Sequence, residues 1–196
     1  MDHLSYDLVH ADIDIEGNRY TTYLCSSVDF KIRGESKIAL DDFFRINAAA
    51  GEKPYDFCIR MGFGNYIDRM IAFDYLILNR DRHGANIEVL RNKNDHSVRL
   101  APLFDHGLSL LCSCCSDEEI QSFDVMEDRK CGNYIGGRSC YENLSLIRDR
   151  KNVFTGRLRN TDKDYLLGGL SGIVSDTLLE KIWEMIRTRY KAYENL

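Results

Sequence analysis

Three oxygen-bearing side chains stand at the edges of one polar stretch: Asp81 and Asn86 in NRDRHGAN (79–86), and Asp105 in LFDHG (103–107). Carboxylate and amide oxygens are hard donors. They suit a cation such as Mg²⁺, which commonly takes one or two carboxylates and completes its shell with waters or substrate phosphates. A further Asp beside such a metal can orient or deprotonate an attacking hydroxyl. Phosphoryl transfer asks for little more, because positioning and charge neutralisation carry most of its catalysis. Taken singly, Asp and Asn are common loop residues whose side chains satisfy nearby backbone groups. The joint pattern is more specific, since it also requires Asp105 at the end of an apolar strand after a hairpin.

The elements between these residues must bring them together. Ile67, Met70, Ile71, Tyr75 and Leu78 recur at spacings of three and four, which predicts a central buried helix leading into the polar burst. Asp74 lies within that apolar stretch and must be either partnered or exposed. Beyond Asn86, the segments IEVLR (87–91) and VRLAPLFD (98–105) flank a turn in NKNDHS and predict a hairpin. Folding it back brings Asn86 and Asp105 together and leaves Asp81 at the mouth.

Residues 5–32 predict an earlier hairpin, turning at Glu16-Gly17-Asn18. A short helix is expected over 39–49, with Phe43, Phe44 and Ile46 on its apolar side. Asp41 and Asp42 sit near its start, where the helix dipole favours negative charge. From 116 onward the pattern is mainly helical with glycine-rich interruptions, and SDEEIQSFDVMED (116–128) reads as a solvated acidic face. The C-terminal stretch predicts an amphipathic helix presenting Leu179, Ile182, Trp183, Ile186 and Tyr190, with Thr177 and Glu180 spaced as a capping box. The expected class is α+β, short hairpins set against a larger helical body.

The 196 residues fit one domain or two small lobes. With 26 basic and 31 acidic residues the net charge is −5, which lacks the basic footprint of a nucleic-acid partner. No apolar run approaches bilayer length, and MDHLSYDLVHADIDIEG lacks the basic flank and apolar core of a signal peptide. A cytoplasmic protein with no membrane partner is expected. In that reducing setting the seven cysteines read as free thiols. The C-x-C-C spacing at 112–115, followed by Cys131 and Cys140, matches none of the usual zinc knuckles.

The spacing D-x-x-x-x-N from Asp81 to Asn86, followed by Asp105-His106-Gly107, resembles the catalytic loop and D-F-G segment of protein kinases. The fuller strings N-R-D-R-H-G-A-N and L-A-P-L-F-D-H-G resemble the C-terminal lobe of HipA-type serine/threonine kinases, the kinase-like toxins of bacterial toxin–antitoxin systems. The D-R-H-x-x-N core also resembles phosphatidylinositol kinases, which share the wider fold. With the leading helix MIAFDYLILN and the strand LAPLFD, the likeness covers roughly 60–110. It implies a protein-kinase-like, mainly helical lobe in which Asp81 is the catalytic base and His83 braces the loop or lies near the phosphates. Asn86 and Asp105 are implied as the Mg²⁺ ligands beside ATP, and Arg82 has a structural job like that of His83. A protein Ser/Thr hydroxyl is the implied substrate, and an antitoxin an implied partner. His106 stands where D-F-G has Phe, so no Phe-driven switch carries over.

A complete kinase also has a glycine-rich loop and a strand lysine that grip the phosphates. Neither precedes Asp81: Lys31, Lys37 and Lys53 are the only upstream lysines, and Gly62-Phe63-Gly64 sits beside a helix. The expectation is a catalytic lobe with its N-terminal lobe largely missing. Residues 1–35 would be a remnant hairpin and hinge, residues 36–196 the lobe, and a complementing N-lobe chain would finish the enzyme. Two alternatives stand beside it. One is a catalytically inactive kinase-like module that binds a protein. The other is a lipid or small-molecule kinase, which the D-R-H-x-x-N core allows but no basic membrane-facing patch supports.

Overall fold

The computed structural model describes residues 3–196. Strands β1 (Asp7–Ile15) and β2 (Asn18–Ser26) form an antiparallel hairpin with Asp7 opposite Ser26 and Ile15 opposite Asn18. Glu16 and Gly17 take φ of 54° and 85°, the two left-handed residues that a tight turn matched to strand twist requires. Both faces of this hairpin lie open: Leu8, Tyr20 and Tyr23 each expose about half their surface.

Strand β3 (Glu35–Ala39) follows and leads directly into helix α1 (Leu40–Asn47). ESKIA shows no alternation strong enough to predict β3. Its strand geometry comes from pairing with a distant segment. In α1, Leu40 and Phe43 are buried and Phe44 packs against the core, whereas Ile46 is 70% exposed and does not belong to the apolar side. Helix α2 (Pro54–Arg60) opens on a proline, whose missing N–H and fixed φ suit the first helical turn. Helix α3 (Gly64–Leu76) is the predicted central helix. Ile67, Met70, Ile71 and Tyr75 are each at most 2% exposed.

The polar burst forms β4 (Asp81–Arg82) and a single 3₁₀ turn at Gly84–Asn86. Next come β5 (Glu88–Asn92) and β6 (Val98–Leu100), which make the expected hairpin. β6 is shorter than the predicted 98–105. Beyond Leu100 its place in the ladder ends, and Leu103 instead bridges to His3. β3, β5 and β6 form one antiparallel sheet in that order, with Glu35 opposite Asn92 and Ala39 opposite Glu88.

Helix α4 (Asp117–Ser122) is capped by Ser116, which accepts from the Glu119 N–H while the Glu119 carboxylate accepts from the Ser116 N–H. Only part of the 116–128 stretch is a solvated acidic face, because Ile120, Phe123 and Val125 turn into the core. β7 (Gly132–Asn133), α5 (Cys140–Asn143) and α6 (Asp162–Leu167) lead to α7 (Asp176–Glu194). The cap of α7 is Ser175, accepting from the Leu178 N–H, not Thr177. Leu179, Ile182 and Trp183 are buried as expected, and Ile186 and Tyr190 pack at the edge.

Two apolar clusters result. One joins α1, α2, α3 and β5 through Phe43, Phe57, Ile67, Met70, Tyr75 and Val89. The other packs α7 against α4 through Leu78, Ile120, Phe123, Trp183 and Met185. Arg189 of α7 is 1% exposed and forms no ion pair among the described residues. It donates to the carbonyls of Tyr75, Val125 and Glu127 instead, tying α7 to the end of α3. All seven cysteines are free thiols.

Candidate active site

The site is built on the end of α3. Leu78 takes φ of 51° and turns the chain out of the helix, and the Asn79 N–H donates back to the Asp74 carbonyl at 2.8 Å. The Asn79 amide donates to Asp74 Oδ1 at 2.9 Å and accepts the Asp81 N–H at 3.2 Å. Asp74, the acid inside the apolar run, is thus partnered and 2% exposed.

Its main partner is Arg82, which is fully buried. Nε and Nη2 reach the two Asp74 oxygens at 3.0 and 2.9 Å. Nη1 donates to the carbonyls of Asn86 at 3.1 Å and Phe104 at 3.0 Å. One guanidinium therefore joins α3, the loop holding Asp81, and the residue preceding Asp105. A buried charge is tolerable here because it is paired and each of its three nitrogens donates at least one hydrogen bond.

The same loop is held from its other edges. β4 pairs in parallel with β7, Asp81 opposite Gly132 and Arg82 opposite Asn133. The Gly132 and Tyr134 N–H groups donate to the Arg80 and Arg82 carbonyls at 2.8 and 2.9 Å. The glycine-rich stretch GNYIGGR (132–138) thus braces the Asp81 loop. The Arg80 N–H donates to Leu108 O at 3.0 Å, which anchors the segment after Asp105. Gly84 lies against the first turn of α1, where a Cβ would stand 2.6 Å from Asp41 Cβ. Only glycine allows that approach.

The predicted residues sit as follows. The Asp81 side chain is 39% exposed, and His83 Nε2 lies 3.8 Å from Asp81 Oδ1 on the same rim, beyond hydrogen-bond length. Asn86 is buried and its Nδ2 donates to the Asp81 carbonyl at 2.9 Å, a direct link between the two. Asp105 is exposed with φ of 53°, and its N–H meets the Tyr6 hydroxyl at 3.3 Å. Asn86 and the Asp105 segment are brought together through Arg82. His106 packs edge-on against Phe73, ring centres 5.7 Å apart, and its Nε2 is buried with no hydrogen-bond partner among the described residues. Burial, reinforced by the Arg82 charge, pushes the His106 pKa down.

Among the described residues no group of three His, Cys, Asp or Glu is arranged to hold a metal by itself. A Mg²⁺ completed by phosphates needs less, one or two protein oxygens. Asn86 and Asp105 offer an amide and a carboxylate oxygen, and Asp105 makes no ion pair among the described residues. The donor set fits that ion. The hub position of Arg82, the pairing of β7 and the Asp41 contact leave no signal of their own in the local sequence. The acid inside the apolar run was the one visible signal of the buried anchor.

Among the described residues, small sheets stand against seven α-helices around this anchored loop, a fold that resembles that of a solved kinase. A similar solved structure is the crystal structure of the Helicobacter pylori proinflammatory kinase CtkA. Its TM-score is 0.62 at 14% identity, over 100% of this chain and 80% of that one. At that identity the likeness shows the fold alone. No family model matches the sequence, and no curated protein matches it. Among the described residues no helix is long and apolar enough to cross a membrane.

Proposed function

We propose that the chain is the catalytic lobe of a HipA-type serine/threonine kinase, transferring the ATP γ-phosphate to a protein hydroxyl. The observation that carries this reading is the four-way bond set of Arg82, which locks the Asp81 loop to α3, to Asn86 and to Phe104 beside Asp105. Rigid placement of a few oxygens is the main demand of phosphoryl transfer.

In this reading the half-exposed Asp81 carboxylate accepts the proton of the Ser or Thr hydroxyl. The hydroxyl oxygen bonds to the γ-phosphorus as the bond from phosphorus to the ADP oxygen breaks. His83 stands on the rim beside Asp81 and positions that carboxylate or the phosphates. Asn86 and Asp105 would hold Mg²⁺, which when bound neutralises phosphate charge. The glycine-rich loop and strand lysine, absent before Asp81, would come from a complementing N-lobe polypeptide. The open apolar faces of β1 and β2 suit such a partner. An antitoxin partner belongs to the same reading.

No glycine-rich loop with a strand lysine precedes Asp81 in this sequence, which favours a second reading, an inactive module that binds a protein. Expression in cells separates the two. Asp81→Asn is expected to cut substrate phosphorylation and any toxicity by about 100-fold or more while the circular dichroism spectrum stays unchanged. Unchanged phosphorylation would give the site to the module reading. If a separate polypeptide supplies the phosphate-gripping parts, ATP titration of the chain alone is expected to show binding weaker than about 1 mM, and micromolar binding would refute that part of the reading.

A further inference from the structure

Away from the Asp81 loop, an apolar trough of about 640 Å³ runs between α3, α6 and α7, walled by Phe73, Ile77, Phe154, Leu166 and Ile186. Tyr165 and Leu166 on its rim are 90% and 48% exposed, an unusual display of large apolar surface. Through Phe154, Gly156, Arg157 and Tyr190 the trough continues into a second hollow of about 350 Å³, lined also by Arg150, Lys151 and Tyr193, with Glu194 at its edge. The character changes along this path. Residues 148–159 hold five basic residues against one acid in a chain whose net charge is −5. Lys151, Arg157 and Arg159 are exposed, and none makes an ion pair among the described residues.

We propose that this surface docks an extended segment of a protein partner, in which a bulky apolar anchor is followed by a run of acidic residues. The anchor would bury against Phe73, Ile77 and Leu166, where removing apolar area from water supplies the attraction. The acidic run would lie along Lys151, Arg157 and Arg159, which outnumber the nearby carboxylates of Glu194 and Asp162 and form no ion pair with them. A ligand must be extended to reach both ends, and a peptide meets that need. Phe73 belongs both to the trough wall and to the His106 contact, so a docked anchor touches an element that packs beside Asp105.

The test is fluorescence anisotropy with the full chain and a fluorescein-labelled peptide carrying Leu-Phe followed by consecutive glutamates. Saturable binding that weakens with added salt is expected. The double variant Lys151→Glu, Arg157→Glu and, separately, Leu166→Asp should each weaken binding about tenfold or more while thermal melting stays unchanged. Asp81→Asn should bind the peptide as the parent does, which separates this surface from the phosphoryl-transfer reading. Equal binding of a peptide with lysines in place of glutamates would overturn the assignment. So would indifference to the two variants, or binding to anionic phospholipid vesicles in preference to the peptide.

Discussion

Asp74 and Arg82 form a bidentate ion pair in which the two side chains expose 2% and 0% of their surface. Removing one partner leaves the other charge buried and unpaired. Asp74→Leu or Arg82→Met is therefore expected to lower the unfolding free energy by about 3–5 kcal/mol, measured by urea denaturation. The double replacement should cost less than the sum of the two. Single variants within about 1 kcal/mol of the parent would mean the pair does not anchor the loop.

Gly84 answers to α1. A Cβ there would stand 2.6 Å from both Cβ and Cγ of Asp41, so Gly84→Ala must push the first turn of α1 off the loop. A loss of about 1–3 kcal/mol is expected in thermal melts. Gly168, where a Cβ meets nothing within 4 Å, is the control, and alanine there should be close to neutral. Equal effects at the two positions would contradict the packing.

His106 stands edge-on to Phe73 and carries a buried ring nitrogen with no hydrogen-bond partner among the described residues. His106→Phe keeps the aromatic contact and removes the orphaned polar atom. The variant is expected to be more stable by about 1 kcal/mol, read from the shift in chemical unfolding midpoint. A destabilised variant would show that the nitrogen is satisfied in solution.

Glu52 accepts from Arg60 Nε and Nη2 at 2.8 and 2.7 Å and from the Ala49 N–H at 2.9 Å. The guanidinium, with that backbone bond, holds its pKa at about 2, against an ordinary 4.5. A depressed folded pKa means the contribution is complete above about pH 4.5 and is lost as pH falls from there through about 2. Glu35, lowered chiefly by its bonds to Arg99, adds a slope of the same sign. Glu52→Gln should flatten the acid limb of a stability–pH curve without abolishing it. A curve identical to the parent would remove Glu52 from the account.

Much of the local structure was legible from short-range signals. The spacing of Ile67, Met70, Ile71 and Tyr75 marks α3, and Gly17 in a polar turn marks the first hairpin. Element ends were less legible. Thr177 and Ser175 are both acceptable caps, and the choice falls to whichever residue adopts extended backbone before α7. β3 and β7 were hidden because a strand of five residues, or of two, exists only through a partner far along the chain.

By itself the sequence determined which residues bring oxygen donors to the Asp81–Asp105 stretch, and that an apolar helix and a hairpin must flank them. Periodicity and turn chemistry are local properties, so they can be read from neighbours. The tertiary structure alone decided that Arg82, not a loop carboxylate, is the hub, that Asp74 is its counter-ion, and that β7 and Asp41 close the loop's remaining edges. Those relations join residues distant in sequence. They exist only once burial forces each charged or polar group to find a partner.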